Sequence, residues 1–238
     1  MNNLRTTVAT ACRILAHQGL AVDVLGHVSA RLDADRILLR CRGPQDRGLL
    51  FTVADDIREV DLDGRGDLHG GYAVPNEFHI HTELFRARPE VAAVVHAHPR
   101  DVVIADLAGV ELRQLFGAYN IPASRLAHQG VPVYPRSVLV RTPELGRAVA
   151  AALGHSGAAV LRGHGVVTVG ESVAHATMRA LDLAELSRIS AEVARLDARP
   201  QTVPEDDRQE LPDLGSSFND SSRWRHYVGR LNIAGLAL

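Results

Sequence analysis

Two histidines one residue apart, His96 and His98, lie in the apolar run Val94-Val95-His96-Ala97-His98-Pro99, and no other stretch constrains the chain as strongly. Alternate residues of a strand leave the same face, so both imidazoles can reach one ion. The run follows a helix-like segment opening Asn76-Glu77-Phe78-His79-Ile80-His81, and a third imidazole, His164, comes from Leu161-Arg162-Gly163-His164-Gly165-Val166. Three imidazoles and a nearby carboxylate are what a catalytic divalent metal with an open coordination position requires. The competing reading of a lone strand histidine is a hydrogen-bonded core residue, so the company these residues keep decides between the two.

The totals narrow the possibilities. A chain of 238 residues can bury one large core but not two comfortable ones. We expect a single domain, with residues 1–199 as its catalytic body and 200–238 as a C-terminal extended segment and terminal helix. The chain has only two cysteines, Cys12 and Cys41, so neither a disulfide framework nor a cysteine zinc site is available. Any metal must be held by histidine and carboxylate. A net charge of -2 with dispersed charges argues against nucleic acid, which needs a basic stripe. No apolar run approaches the roughly 20 residues that span a bilayer, and the N-terminus lacks a secretory apolar core. We therefore expect a cytoplasmic protein without a membrane partner.

Along the chain, apolar periodicity predicts a first helix over 4–18. Strands are predicted at 26–32 and 36–41, with further strand pattern at 49–53 and 57–62. Pro75 and Asn76 open a helix to about Arg88, and the His-x-His strand follows. A short helix runs from Pro99 through Leu107, and a loop-rich passage leads to Tyr134. Thr142-Pro143-Glu144 is a helix start, with Gly154 as the stop. Short strands at 158–161 and 166–169 flank the turn that carries His164. The longest helix is predicted over 171–198, a polar extended segment over 200–222, and an amphipathic piece around Trp224 and Tyr227.

These elements resemble the class II aldolase/adducin family. The resemblance rests on Gly26-His27-Val28-Ser29-Ala30-Arg31, the Glu77 helix, the His96-Ala97-His98 strand and the Gly163-His164-Gly165 turn, in the family's order and spacing over roughly residues 5–195. It implies an α/β fold of three layers, a central mixed, mostly antiparallel sheet flanked by helices, with active sites between the subunits of a homotetramer. It also makes His96, His98, His164 and Glu77 the metal ligands, Glu77 the acid/base, and Tyr227 or His226 a group that can assist at a neighbouring site. One divalent metal per subunit is implied, with zinc first and iron, cobalt or manganese compatible.

The sequence departs from the family's sugar-phosphate aldolases at the phosphate site. Where they carry small hydroxyl and amide donors, this chain has His27, Arg42-Gly43 and Pro75-Asn76. Arg40 and Arg42, two apart on a predicted strand, could grip a planar carboxylate. His27, Ser29, Arg40, Arg42, Gly43 and Asn76 are therefore the expected substrate contacts. This wording resembles the family's decarboxylase branch in aromatic catabolism, which implies a carbon–carbon lyase acting on a hydroxylated aromatic or dienoic polycarboxylate, 3,4-dihydroxyphthalate foremost. The alternatives are an aldolase or epimerase for fuculose, rhamnulose or ribulose phosphate, and a non-catalytic adducin-like assembly module.

Overall fold

A computed structural model describes residues 2–115, 117–196 and 201–238. Helix α1 (Asn2–His17) leads into strands β1 (His27–Arg31), β2 (Arg36–Arg40) and β3 (Ile57–Asp61). Helix α2 (Phe78–Ala87), strand β4 (Ala93–Ala97), helices α3 (Arg100–Leu107) and α4 (Ile121–Leu126), and strand β5 (Val133–Tyr134) follow. Helix α5 (Pro143–Leu153), strands β6 (Ala158–Leu161) and β7 (Gly165–Gly170), and helices α6 (Val173–Arg195), α7 (Glu205–Glu210) and α8 (Arg223–Ile233) complete the chain. The strands form one seven-stranded sheet in the order β3-β2-β1-β4-β7-β6-β5. Every pairing is antiparallel except β5 with β6, as the resemblance implies.

The period-two alternation of the strands sorts their side chains into two cores. Val28, Leu38, Val95 and Val166 pack with Val8, Cys12 and Leu15 of α1 and Leu183 of α6. Leu39, Val94, Val167 and Val169 face the other way, against Ile80, Leu84 and Phe85 of α2 and Val149 and Leu153 of α5. Each fully buried Leu or Phe in these layers contributes about 1.5–3 kcal/mol. The parity also fixes the site, because His96 shares the face of Val94 and therefore belongs on the α2 side.

Several local expectations need correction. Residues 49–53 do not form a strand: Leu49–Phe51 is a single 3-10 turn, entered through Gly48 at φ 90° and anchored by buried Leu49. The passage before Tyr134 contains α4, whose start is capped by the Asn120 side chain accepting the Ala123 N–H at 3.1 Å. The segment expected to be extended holds α7, with Glu205, Asp206 and Asp207 complementing its N-terminal dipole, and a π-helical turn at Ser217–Ser222. The longest helix ends at Arg195. Its predicted end at 198 and the 199/200 boundary lie outside the described residues.

Candidate metal centre

His96 leaves the buried centre of β4, and His98 stands one step beyond the strand end, its backbone N–H bonded to Leu20 O at 2.9 Å. His164 occupies the turn between β6 and β7. Gly163, at φ 58°, supplies the left-handed residue the turn needs, and a Cβ on Gly165 would run into the carbonyl oxygen of Ala97. The two glycines thus let the His164 turn lie directly on the His-x-His strand. Glu77 sits at the N-cap position of α2, yet its side chain makes no cap bond. The carboxylate turns inward instead: Oε1 accepts the Val140 N–H at 3.0 Å, and Oε2 lies 3.2 Å from His96 Nε2 and 3.3 Å from His164 Nε2. Helix-dipole stabilisation therefore does not account for this residue.

One ligand atom from each of Glu77, His96, His98 and His164 falls within 4.8 Å of all the others. His96 Nδ1 donates to Val166 O at 2.8 Å, which puts the proton on Nδ1 and leaves the Nε2 lone pair facing Glu77 and, at 2.9 Å, His98 Nε2. Burial and positive charge at His96 and His164 push His98 down to about 3, so it too is neutral at neutral pH. Burial alone would raise the Glu77 carboxyl, but positive charge at the His164 and His96 positions, with hydrogen bonds donated from them, holds it well below the usual carboxylate range. An anionic oxygen and imidazole lone pairs converging on one point is the donor set of a divalent cation, and these residues fit one.

The other expected site residues divide. His27 lies opposite His96 across the β1/β4 ladder, its ring centroid 4.9 Å away, on the same sheet face. Ser29 is fully buried behind it and meets His81 Nδ1 at 2.5 Å, so it does not itself face the centre. His81 also meets His27 Nδ1 at 2.6 Å. Sequence reasoning passed over His81, although a position four residues after Glu77 returns to the same helix face. Burial, reinforced by neighbouring histidines, lowers the pKa of both rings, His81 to about 3.

Arg40 shares the parity of Leu38 and so faces α1, the sheet face opposite His27 and His96. It is buried in an ion pair with Asp46, with Nη1 to Oδ2 at 3.1 Å. The expected two-arginine clamp therefore does not form. Arg42, beyond the strand end, bridges Ala73, donates to Val24 O at 3.1 Å, lies 3.9 Å from the same Asp46 carboxylate and keeps a side chain 40% exposed. Gly43 packs on Tyr72, whose ring a Cβ would meet at 2.9 Å, and Asn76 is exposed. Tyr227 packs with Trp224 on the α1/α6 core, the far side of the sheet from Glu77 within this subunit.

The model of the Class II Aldolase and Adducin N-terminal domain matches residues 6–191. A 3,4-dihydroxyphthalate decarboxylase of Arthrobacter keyseri is 50% identical, over 97% of this chain and 94% of that protein. One of Rhodococcus jostii is 43% identical, over 95% of each. Among solved structures, an aldolase II superfamily protein from Pseudomonas syringae superposes with a TM-score of 0.81 at 21% identity, covering 99% of this chain and 94% of that one.

Proposed function

Because this chain belongs to the class II aldolase and adducin family, we propose that it is a divalent-metal-dependent carbon–carbon lyase that decarboxylates 3,4-dihydroxyphthalate. The observation that carries the reading is the convergence of Glu77, His96, His98 and His164 in a chain 50% identical, nearly end to end, to a decarboxylase of that acid. In this reading the three imidazoles hold the ion through Nε2, with zinc first and iron, cobalt or manganese compatible. A bound divalent cation supplies Lewis acidity that draws charge from the substrate's oxygens.

The chain's own groups do the rest. Glu77 takes the proton of a ring hydroxyl and returns it to the ring carbon that loses its carboxylate. The carbon–carbon bond breaks, its electron pair stays on that carbon and becomes the new C–H bond, carbon dioxide departs, and the ring oxygen regains a proton from water. In this reading His27 and the partly exposed Arg42, together with Gly43 and Asn76, bind a carboxylate of the substrate. Arg40 is left out because Asp46 already holds it.

The same reading makes the protein a cytoplasmic homotetramer with sites between subunits, where Tyr227 or His226 of one subunit can approach its neighbour. Among the described residues no helix is long and apolar enough to cross a membrane. The test is carbon dioxide release from metal-loaded protein given 3,4-dihydroxyphthalate and related ortho-hydroxy acids. No release from any of them, with cleavage of fuculose, rhamnulose or ribulose phosphate instead, would return the protein to the aldolases.

A further inference from the structure

Directly behind the metal centre, the buried side chains of Ser29, His81 and His27 form one hydrogen-bonded row. Ser29 Oγ meets His81 Nδ1 at 2.5 Å, and His81 Nε2 meets His27 Nδ1 at 2.6 Å. Two proton arrangements satisfy those distances with both rings neutral. In the first, the Ser29 hydroxyl donates to His81 Nδ1, His81 Nε2–H donates to His27 Nδ1, and His27 carries its own proton on Nε2. In the second, every proton is reversed: His81 donates to Ser29, His27 donates to His81, and His27 Nε2 becomes an acceptor.

The two arrangements differ at Ser29. Its side chain is fully buried, and among the described residues its oxygen has no partner other than His81. In the second arrangement the hydroxyl hydrogen has no acceptor among the described residues, which is destabilising for a buried donor. In the first, the one donor of the row left over is the His27 Nε2–H, which, unlike the Ser29 hydroxyl, is not sealed from solvent. His27 Nε2, in turn, makes no hydrogen bond to any described residue, while its ring lies beside His96 on the face of the metal centre.

We propose that Ser29 and His81 are positioning residues that lock His27 in its Nε2-protonated form, making it a fixed hydrogen-bond donor to a carboxylate oxygen of the substrate. The lock is the opposite of the one on its strand neighbour. His96 gives its Nδ1 proton to Val166 O and offers a lone pair from Nε2, the form a metal needs. His27 receives a proton at Nδ1 and offers N–H from Nε2, a form that cannot ligate a metal but suits an anion. Two adjacent histidines thus divide the work of ligand and donor through the bond each makes at Nδ1, His96 donating there and His27 accepting. The carboxylate assignment rests on the decarboxylase reading; the tautomer does not.

The test uses the zinc-loaded enzyme with ring-15N histidine. Long-range 1H–15N correlations should report His27 protonated at Nε2 and His96 protonated at Nδ1. A His27 protonated at Nδ1, or exchanging between both forms in the parent enzyme, overturns the proposal. Ser29→Ala removes the only hydroxyl that sets the order, so His27 should become a mixture of tautomers. His81→Phe should raise KM by about tenfold, the usual scale for losing an oriented bond to a charged group, with metal content unchanged and kcat affected less. His81→Gln should restore KM close to the parent value, because its amide oxygen can accept from Ser29 while its N–H donates to His27. If His81→Phe fails to fold, the Ser29→Ala and His81→Gln spectra decide alone. A parent tautomer retained in Ser29→Ala, or a KM equally damaged in His81→Gln and His81→Phe, would reduce the row to core packing. Nε2-protonated His27 in a protein that releases no carbon dioxide would uphold the positioning role and remove the decarboxylase reading instead.

Discussion

Arg40 and Glu77 are both buried charges beside the same sheet, and they differ in where their countercharge comes from. Arg40 finds Asp46 six residues along its own chain, and the pair is closed off against α1. Glu77 is surrounded by three histidines, at least one of which, His96, turns a lone pair towards it. Among the described residues its only backbone donor is the Val140 N–H, on the far oxygen. A buried cation that brings its own anion is part of the fold. A buried carboxylate among imidazole acceptors asks for a cation from outside, and this separates the structural pole of the sheet from the chemical one.

The largest effects are expected at the ligands. Replacing His96, His98 or His164 with Ala should abolish both bound metal and turnover, read by elemental analysis and carbon dioxide release, with the fold kept. Arg40→Met should do the reverse. It leaves the half-buried Asp46 with only the Gly48 N–H and the more distant Arg42, 3.9 Å away, and should cost about 1–3 kcal/mol of stability, seen as a lowered melting temperature with metal content intact. Burial raises the Asp46 carboxyl, but the bonds from Arg40 and Gly48 N–H outweigh it and hold its pKa below the ordinary value. The pair's contribution is therefore fully present above the unfolded aspartate pKa and is lost as pH falls through the folded one. In Arg40→Met that acid-labile part should shrink.

Smaller effects sharpen the division further. Glu77→Gln keeps the volume and all three imidazoles, so metal should largely remain while turnover drops by about a hundredfold. Arg42→Ala should raise KM by about tenfold at nearly constant kcat, because it removes binding common to the ground and transition states. A silent Arg42→Ala with fold and metal intact would place the carboxylate elsewhere.

What the sequence disclosed follows the same line. His96 and His98 were legible because a strand's period of two is local, and His164 because glycines on both sides announce a tight turn. The mostly antiparallel α/β sheet came from the family resemblance and is observed strand by strand. Arg40 was misplaced because spacing pairs it with Arg42, whereas its sheet face is set by Leu38 joining the α1 core. Val140 could not be anticipated, since its contact with Glu77 is decided by how distant segments pack, while Asp46 lies only six residues from Arg40 but in an irregular loop without periodicity to place it. His81 was within reach, one helical turn after Glu77, but a histidine on an apolar helix face carries no signal until Ser29 and His27 are seen against it. Helix α4 was announced by Asn120-Ile121-Pro122 and hidden by its shortness.

If the cluster of Glu77 and three histidines holds the one divalent ion on which decarboxylation depends, that dependence must show when the metal is taken away. It is tested most directly by stripping the protein with chelator and titrating a divalent metal back while following carbon dioxide release from 3,4-dihydroxyphthalate. The account predicts no release from the stripped protein and full recovery at one equivalent per subunit, with no recovery in His98→Ala. Full release in excess chelator, or equal recovery in His98→Ala, would contradict it.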